Sequence, residues 1–187
     1  MAEFDRQAKR PPPIDLQPVL EGETLRVRPL LPDDLDALHA AASDPLIWDQ
    51  HPSPLRYQRP VFEKEFFAGA LASGSAFVVI DKASGKIIGS SRYYDWDPQK
   101  REIAIGFTFL ARSHWGGGTN GELKRLMLEH AFRSADVVWF HIGRSNWRSR
   151  KAVEKIGARL SHESTKELYG VVHEYAFYLI TAEMQRC

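Results

Sequence analysis

The periodicity of the apolar residues predicts one α+β domain, a mostly antiparallel sheet of about seven strands flanked by helices. Three observations carry that expectation. The runs "SAFVVID", "GKIIGSSRYYDW" and "REIAIGFTFL" are rich in β-branched and aromatic residues and follow one another across the short turns "KASGK" and "DPQK", the pattern of an antiparallel meander. The second half alternates helix-like with strand-like segments. A chain of 187 residues, 43% hydrophobic and 11% aromatic, is sized to fill one core.

Taken in order, residues 1–18 hold four of the eleven prolines and little apolar periodicity, so they read as a mobile arm before a domain spanning 19–187. "ETLRVRPL" sets Leu25, Val27 and Pro29 against Arg26 and Arg28, a half-buried strand. "LPDDLDALHAAAS" places Pro32, Asp33 and Asp34 in a first helical turn, with Leu35 and Leu38 on the apolar face. After a proline-broken aromatic stretch, "VFEKEFFAGALAS" reads as a second helix with Phe62, Phe66 and Phe67 on one side. The three meander strands follow. "GELKRLMLEHAFRS" shows Leu123, Leu126, Met127 and His130 at helical spacing, and "DVVWFHI" is a short apolar strand. "NWRSRKAVEKIGA" is a helix that Asn146 caps and Gly157 ends. Two strand-like runs, "RLSHESTKEL" and "VVHEYAFYLI", complete the chain.

Composition removes several classes. A net charge of +1 gives no general attraction to nucleic acid or to an anionic membrane. The lone Cys187 forms no internal disulfide and no cysteine zinc cluster, and the seven histidines show no ligand spacing, so no metal is expected. No apolar run reaches about eighteen residues and the N-terminus lacks a signal core, so a soluble, cytoplasmic protein is expected.

"SHWGGGTNGELKRLM", residues 113–127, contains G-x-G-x-x-G at Gly116, Gly118 and Gly121. A dinucleotide fold needs a strand running straight into the first glycine and an acid at the end of the next strand. Here "ARSHW" intervenes, and the next strand ends "FHIGR". A Walker loop needs Lys and Ser/Thr where Glu122 and Leu123 stand. What remains is a glycine run before a helix. Its amides can converge on an anion, the helix dipole adds positive potential, and Thr119 adds a hydroxyl.

These residues resemble a family. "FTFLARSHWGGGTNGELKRLMLEHAF" is similar to the pyrophosphate motif of the GNAT N-acetyltransferase superfamily, and "RSNWRSRKAVEKIGARL" resembles the motif that follows it. The pairing is most similar to the branch that acetylates N-termini of ribosomal proteins. The resemblance implies the GNAT fold, acetyl-CoA as donor, and a primary-amine acceptor, either a protein N-terminus or a small amine such as an amino acid, polyamine or antibiotic. Two departures, Ser113 at the Q/R position and Val153 where many relatives carry an acidic tyrosine, keep a non-catalytic CoA-binding module as an alternative.

The resemblance also distributes roles. The main chain of Phe109, Leu110 and Ala111 would meet pantetheine, and Trp115, Gly116, Gly117, Gly118, Thr119 and Asn120 would form the pyrophosphate cradle. Asn146 would contact pantetheine while capping its helix, and Ser149 is either a catalytic residue that hydrogen-bonds the CoA sulfur as the thiolate leaves or an ordinary polar helix position. Glu102, alternating with the small residues Ala104 and Gly106, is either the base or a surface carboxylate paired with Arg101 or Lys100. Arg144, Arg148, Arg150 and Lys151 either reach the 3′-phosphate or face solvent. Trp48, His51, Tyr93, Tyr94, Trp96, His173 and Tyr175 are candidates for the acceptor pocket or the core. A monomer or homodimer, without nucleic acid or membrane, is expected.

Overall fold

A computed structural model describes residues 13–168 and 170–186. Of the arm expected over 1–18, residues 1–12 lie outside the described residues. Beyond them Ile14 and Leu16 pack against the core, and His130 Nε2 lies 2.7 Å from the Asp15 carbonyl.

The elements run β1 (Leu20–Glu21), β2 (Leu25–Pro29), α1 (Leu35–Ala42), α2 (Arg59–Phe62), α3 (Ala68–Ala72), β3 (Ala76–Asp81), β4 (Ile87–Asp97), β5 (Glu102–Leu110), α4 (Thr119–Ala131), β6 (Val137–Gly143), α5 (Trp147–Lys155), β7 (Arg159–Leu168) and β8 (Val171–Thr181). The eight strands form one sheet in the order β1-β2-β3-β4-β5-β6-β8-β7, antiparallel throughout except between β5 and β6. The architecture is the expected α+β domain, a mostly antiparallel sheet flanked by helices. The strand beyond the expected seven is β1, whose two residues are too few for alternation to announce them.

Alternate residues of β3 divide between two cores on opposite faces. Phe77 and Val79 join Ile103, Leu123, Met127, Phe140 and Val153 beneath α4 and α5. Ala76 and Val78 join Leu38, Phe62, Phe66 and Phe109 beneath α1, α2 and α3. The second expected helix is interrupted by a π turn at Glu63–Phe67 between α2 and α3. The extra residue in that turn lets Phe62, Phe66 and Phe67 all point inward, with Phe62 stacked on Phe66 at 5.1 Å. Across the sheet, the buried Tyr93 hydroxyl donates to the Met127 carbonyl at 2.6 Å and ties β4 to α4.

Candidate active site

The parallel pairing of β5 with β6 stops early. Glu102, Ile103 and Ala104 pair with Val137, Val138 and Trp139, while β5 continues to Leu110 and β6 to Gly143. The two strands therefore splay. Each keeps its outer partner, β4 or β8, so the gap lies between two held edges.

A β-bulge sharpens the opening. On β4, Arg92 pairs with Gly106 and Ser90 with Phe109, leaving Phe107 and Thr108 opposite the single residue Ser91. Phe107 takes a left-handed φ of 51°, unfavourable for a side chain with a Cβ, and lies 44% exposed under the Arg92 guanidinium at 4.1 Å. The bulge exchanges the faces of the strand. Ile103, Ile105 and Leu110 sit on the α4 side, whereas Phe109 sits in the opposite core.

The gap is a cleft of about 160 Å³ that reaches both layers. Ile105, Gly106 and Thr108 line it from β5 and Phe140 to Gly143 from β6. Asn120 and Lys124 line it from α4, and Asn146, Ser149 and Val153 from α5. Trp48, His51, Arg56 and Phe66 close the other side. Lys124 is 4% exposed, and its ammonium donates to Thr108 Oγ1 at 2.6 Å. Burial pushes its amine down to about 7. Burial, with Arg56 nearby, pushes the His51 imidazole down to about 3. Burial, with Lys166 and His162, takes His141 to about 4, and both rings are neutral at physiological pH. Tyr94 packs over Gly106, where an added Cβ would come 2.8 Å from its ring, and burial raises its phenol pKa.

The glycine loop opens at the end of this gap. Gly116 has φ +77°, a conformation suited to glycine, and a Cβ at Gly116, Gly117 or Gly118 would meet nothing within 4 Å. Helix α4 starts at Thr119, with Gly121 in its first turn, and Gly118 at its N-cap offers no side chain to cap it. The first-turn amides are thus left for an incoming acceptor. Trp115 braces the loop by donating its indole N–H to the Leu110 carbonyl at 2.9 Å. Asn146 caps α5 as expected, its Oδ1 accepting from the Ser149 amide at 3.1 Å.

The other expected residues lie around and beyond the cleft. Glu102 stands at the paired end of β5, outside the cleft lining, and accepts from the Trp139 indole at 3.0 Å. The Ala111 amide is engaged by the Ile88 carbonyl at 2.7 Å on the β4 side. Three of the four basic residues are committed within the fold. Arg144 pairs with Glu174 and Glu163, Arg148 with Asp49, and the buried Arg150 with the Tyr178 hydroxyl and Glu163, while Lys151 is exposed. Of the aromatic candidates, Trp48, His51 and Tyr175 line the cleft, Tyr93 and Trp96 belong to the core, and His173 borders an adjoining surface groove. Sequence reasoning missed Lys124, Thr108, Arg56 and His141. For Lys124 the local pattern carried no signal, because Arg125 follows it directly and both read as charges on an amphipathic helix. Among the described residues no group of acidic, histidine or cysteine side chains could hold a metal, and no helix is long and apolar enough to cross a membrane.

A splayed parallel strand pair beside a glycine loop and helix N-terminus defines an acyltransferase site of the acetyltransferase kind. The model of the acetyltransferase (GNAT) domain family matches residues 24–159, and the chain belongs to that family. The fold is similar to a GCN5-related N-acetyltransferase from Brucella melitensis (TM-score 0.81, 24% identity, covering 96% of this chain and 87% of that one). It is similar also to a probable GNAT-family acetyltransferase from Chromobacterium violaceum (TM-score 0.84, 18% identity, 97% and 94% covered). Mycobacterium smegmatis RimJ in complex with CoA-disulfide aligns with TM-score 0.67 at 20% identity, covering 89% of this chain and 86% of RimJ. No curated protein matches the sequence. The protein is an acyltransferase of the GNAT family, whose members acetylate amines using acetyl-CoA.

Proposed function

We propose that this chain transfers acetyl from acetyl-CoA directly to a primary amine, with a protein N-terminus as the acceptor. The observation that carries the reading is the unpaired stretch between β5 and β6, which opens beside the uncapped N-terminus of α4. The pyrophosphate rests on Gly116, Gly117, Gly118 and the amides of Thr119 and Asn120, where the helix dipole favours negative charge. Pantetheine, whose amides resemble peptide groups, lies in the gap with Phe109 and Leu110 on one flank and Asn146 and Ser149 on the other. The acceptor enters from the opposite face, past Trp48, His51 and Arg56. Neutral His51 and His141 add no charge to repel an incoming ammonium. The likeness to RimJ supports a protein N-terminus as the acceptor, and a small amine is the second reading.

Thermal unfolding with acetyl-CoA, CoA, NADH and ATP tests the donor, because a ligand selective for the folded state raises its stability. Stabilisation by acetyl-CoA and CoA alone is the expected result. Thiol release over a panel of peptides with free N-termini and small amines then tests the acceptor. Turnover confined to the small amines removes the N-terminus reading, and binding without any turnover leaves a CoA-binding module.

A further inference from the structure

Lys124 is a buried cation with little to hold it. Its one hydrogen bond among the described residues goes to Thr108 Oγ1, an uncharged hydroxyl that also meets Ser91 Oγ at 2.8 Å and donates to the Gly106 carbonyl at 3.4 Å. No carboxylate lies within ion-pair distance of it among the described residues. The Phe140 ring lies 5.7 Å from its nitrogen. An ammonium carries three donors, so two directions are unspent, and Lys124 lines the cleft. Both α4 and α5 send side chains into the cleft. Asn120 and Lys124 stand one turn apart on α4, and Ser149 and Val153 stand one turn apart on α5. Lys124 therefore lies one turn deeper in α4 than Asn120, which stands in the first turn of the helix. The other titratable groups lining the cleft are His51, Arg56, His141 and Tyr175; none is a carboxylate.

We propose that Lys124 is the acid that protonates the departing CoA sulfur. This rests on the acetyl-CoA reading above. The neutral acceptor amine forms the new C–N bond and the C–S bond breaks with its electron pair on sulfur. The Lys124 ammonium gives that sulfur a proton. The nitrogen of the product sheds its extra proton to solvent, and Lys124 takes one up again, so the turnover balances as amine and thioester to amide and thiol. Burial holds the Lys124 amine at about 7, below the ordinary thiol value of about 8.5, so proton transfer to the thiolate runs downhill.

The test combines binding, titration and turnover. Calorimetry measures acetyl-CoA binding to wild type, Lys124→Met and Lys124→Arg, and the expected dissociation constants agree within about threefold. Carbon NMR of ε-labelled lysine in the free protein is expected to show one amine titrating near 7 that disappears in Lys124→Met, against about 10.4 for ordinary lysines. Turnover is followed as thiol release with the peptide or small amine that turns over fastest in the acceptor panel, with release in the absence of enzyme subtracted. Lys124→Met is expected to lower kcat by about 10²–10⁴-fold. Wild-type kcat is expected to fall as pH rises through about 7, a limb the variant lacks. Lys124→Arg keeps the charge but releases no proton near neutrality, so it is expected not to rescue. If Lys124→Met keeps kcat within about threefold, or Lys124→Arg restores it, the assignment is overturned while acetyl-CoA binding stands. Failure of wild type to bind acetyl-CoA overturns the donor reading itself.

Discussion

The Arg148 guanidinium lies over the Trp115 indole, 4.3 Å from carbon to ring centroid, and so joins α5 to the shoulder of the glycine loop. The same group donates to the Ile47 carbonyl at 2.9 Å and to Asp49 Oδ1 at 3.1 Å. One side chain thus fixes three segments distant in sequence. Arg148→Ala is expected to cost about 1–3 kcal/mol in urea unfolding and to weaken acetyl-CoA binding by loosening Trp115. The milder exchange Arg148→Lys is expected to recover little of either loss, because an ammonium cannot stack and fork at once.

Gly117 is exposed and has open space where a Cβ would stand. Gly117→Asp should therefore leave the melting temperature nearly unchanged while placing a carboxylate where the pyrophosphate is expected. Acetyl-CoA affinity is expected to drop at least about tenfold, roughly 1.4 kcal/mol. An unchanged dissociation constant would mean that the loop is not the phosphate cradle.

His51 and His141 carry pKa values of about 3 and about 4 in the folded protein. Both are depressed below the unfolded value of about 6.5, so between these limits the unfolded chain binds more protons. Stability is therefore expected to fall as pH drops below about 6.5, with the loss continuing to about 3. Urea unfolding at pH 7 and pH 5 measures it, and the pH slope should be shallower in His51→Asn.

Glu102 accepts a hydrogen bond from Trp139 at the closed end of the splay, away from the cleft lining. Glu102→Gln retains that acceptor, so turnover and its pH profile are expected to survive. A loss of kcat most severe at neutral pH, with stability intact, would instead identify Glu102 as the base.

The order of elements could be read from the sequence because each segment's apolar period matches the face it buries. The Asn146 cap and the Gly157 terminus, at φ +93°, are equally local and equally readable. The site was less accessible. Period-2 alternation along β5 breaks at Phe107, so face assignments carried past that residue are inverted. The partners of Arg148 and Arg150 come from Asp49, Tyr178 and Glu163, brought together only by the folded sheet. Lys124 reads as a solvent-facing helix charge until Thr108 and Phe140 are seen to close over it. Long-range burial leaves little trace in local pattern.

The bulge at Phe107 makes the site a matter of parity as much as of chemistry. With one odd residue in β5, Thr108 falls beside Lys124 and Phe109 falls among Trp48, Phe62 and Phe66. Removing Phe107 alone would set Thr108 opposite Ser91 and Phe109 opposite Ser90 in an unbroken ladder, so both side chains would keep their faces. Flattening the bulge with every residue kept would instead thrust the phenylalanine toward α4 and the hydroxyl toward the aromatic core. Phe107→Gly keeps the count and suits the left-handed backbone, so that chemically drastic exchange leaves the cleft facing the right way. The extra residue, more than its identity, sets which way the cleft side chains face.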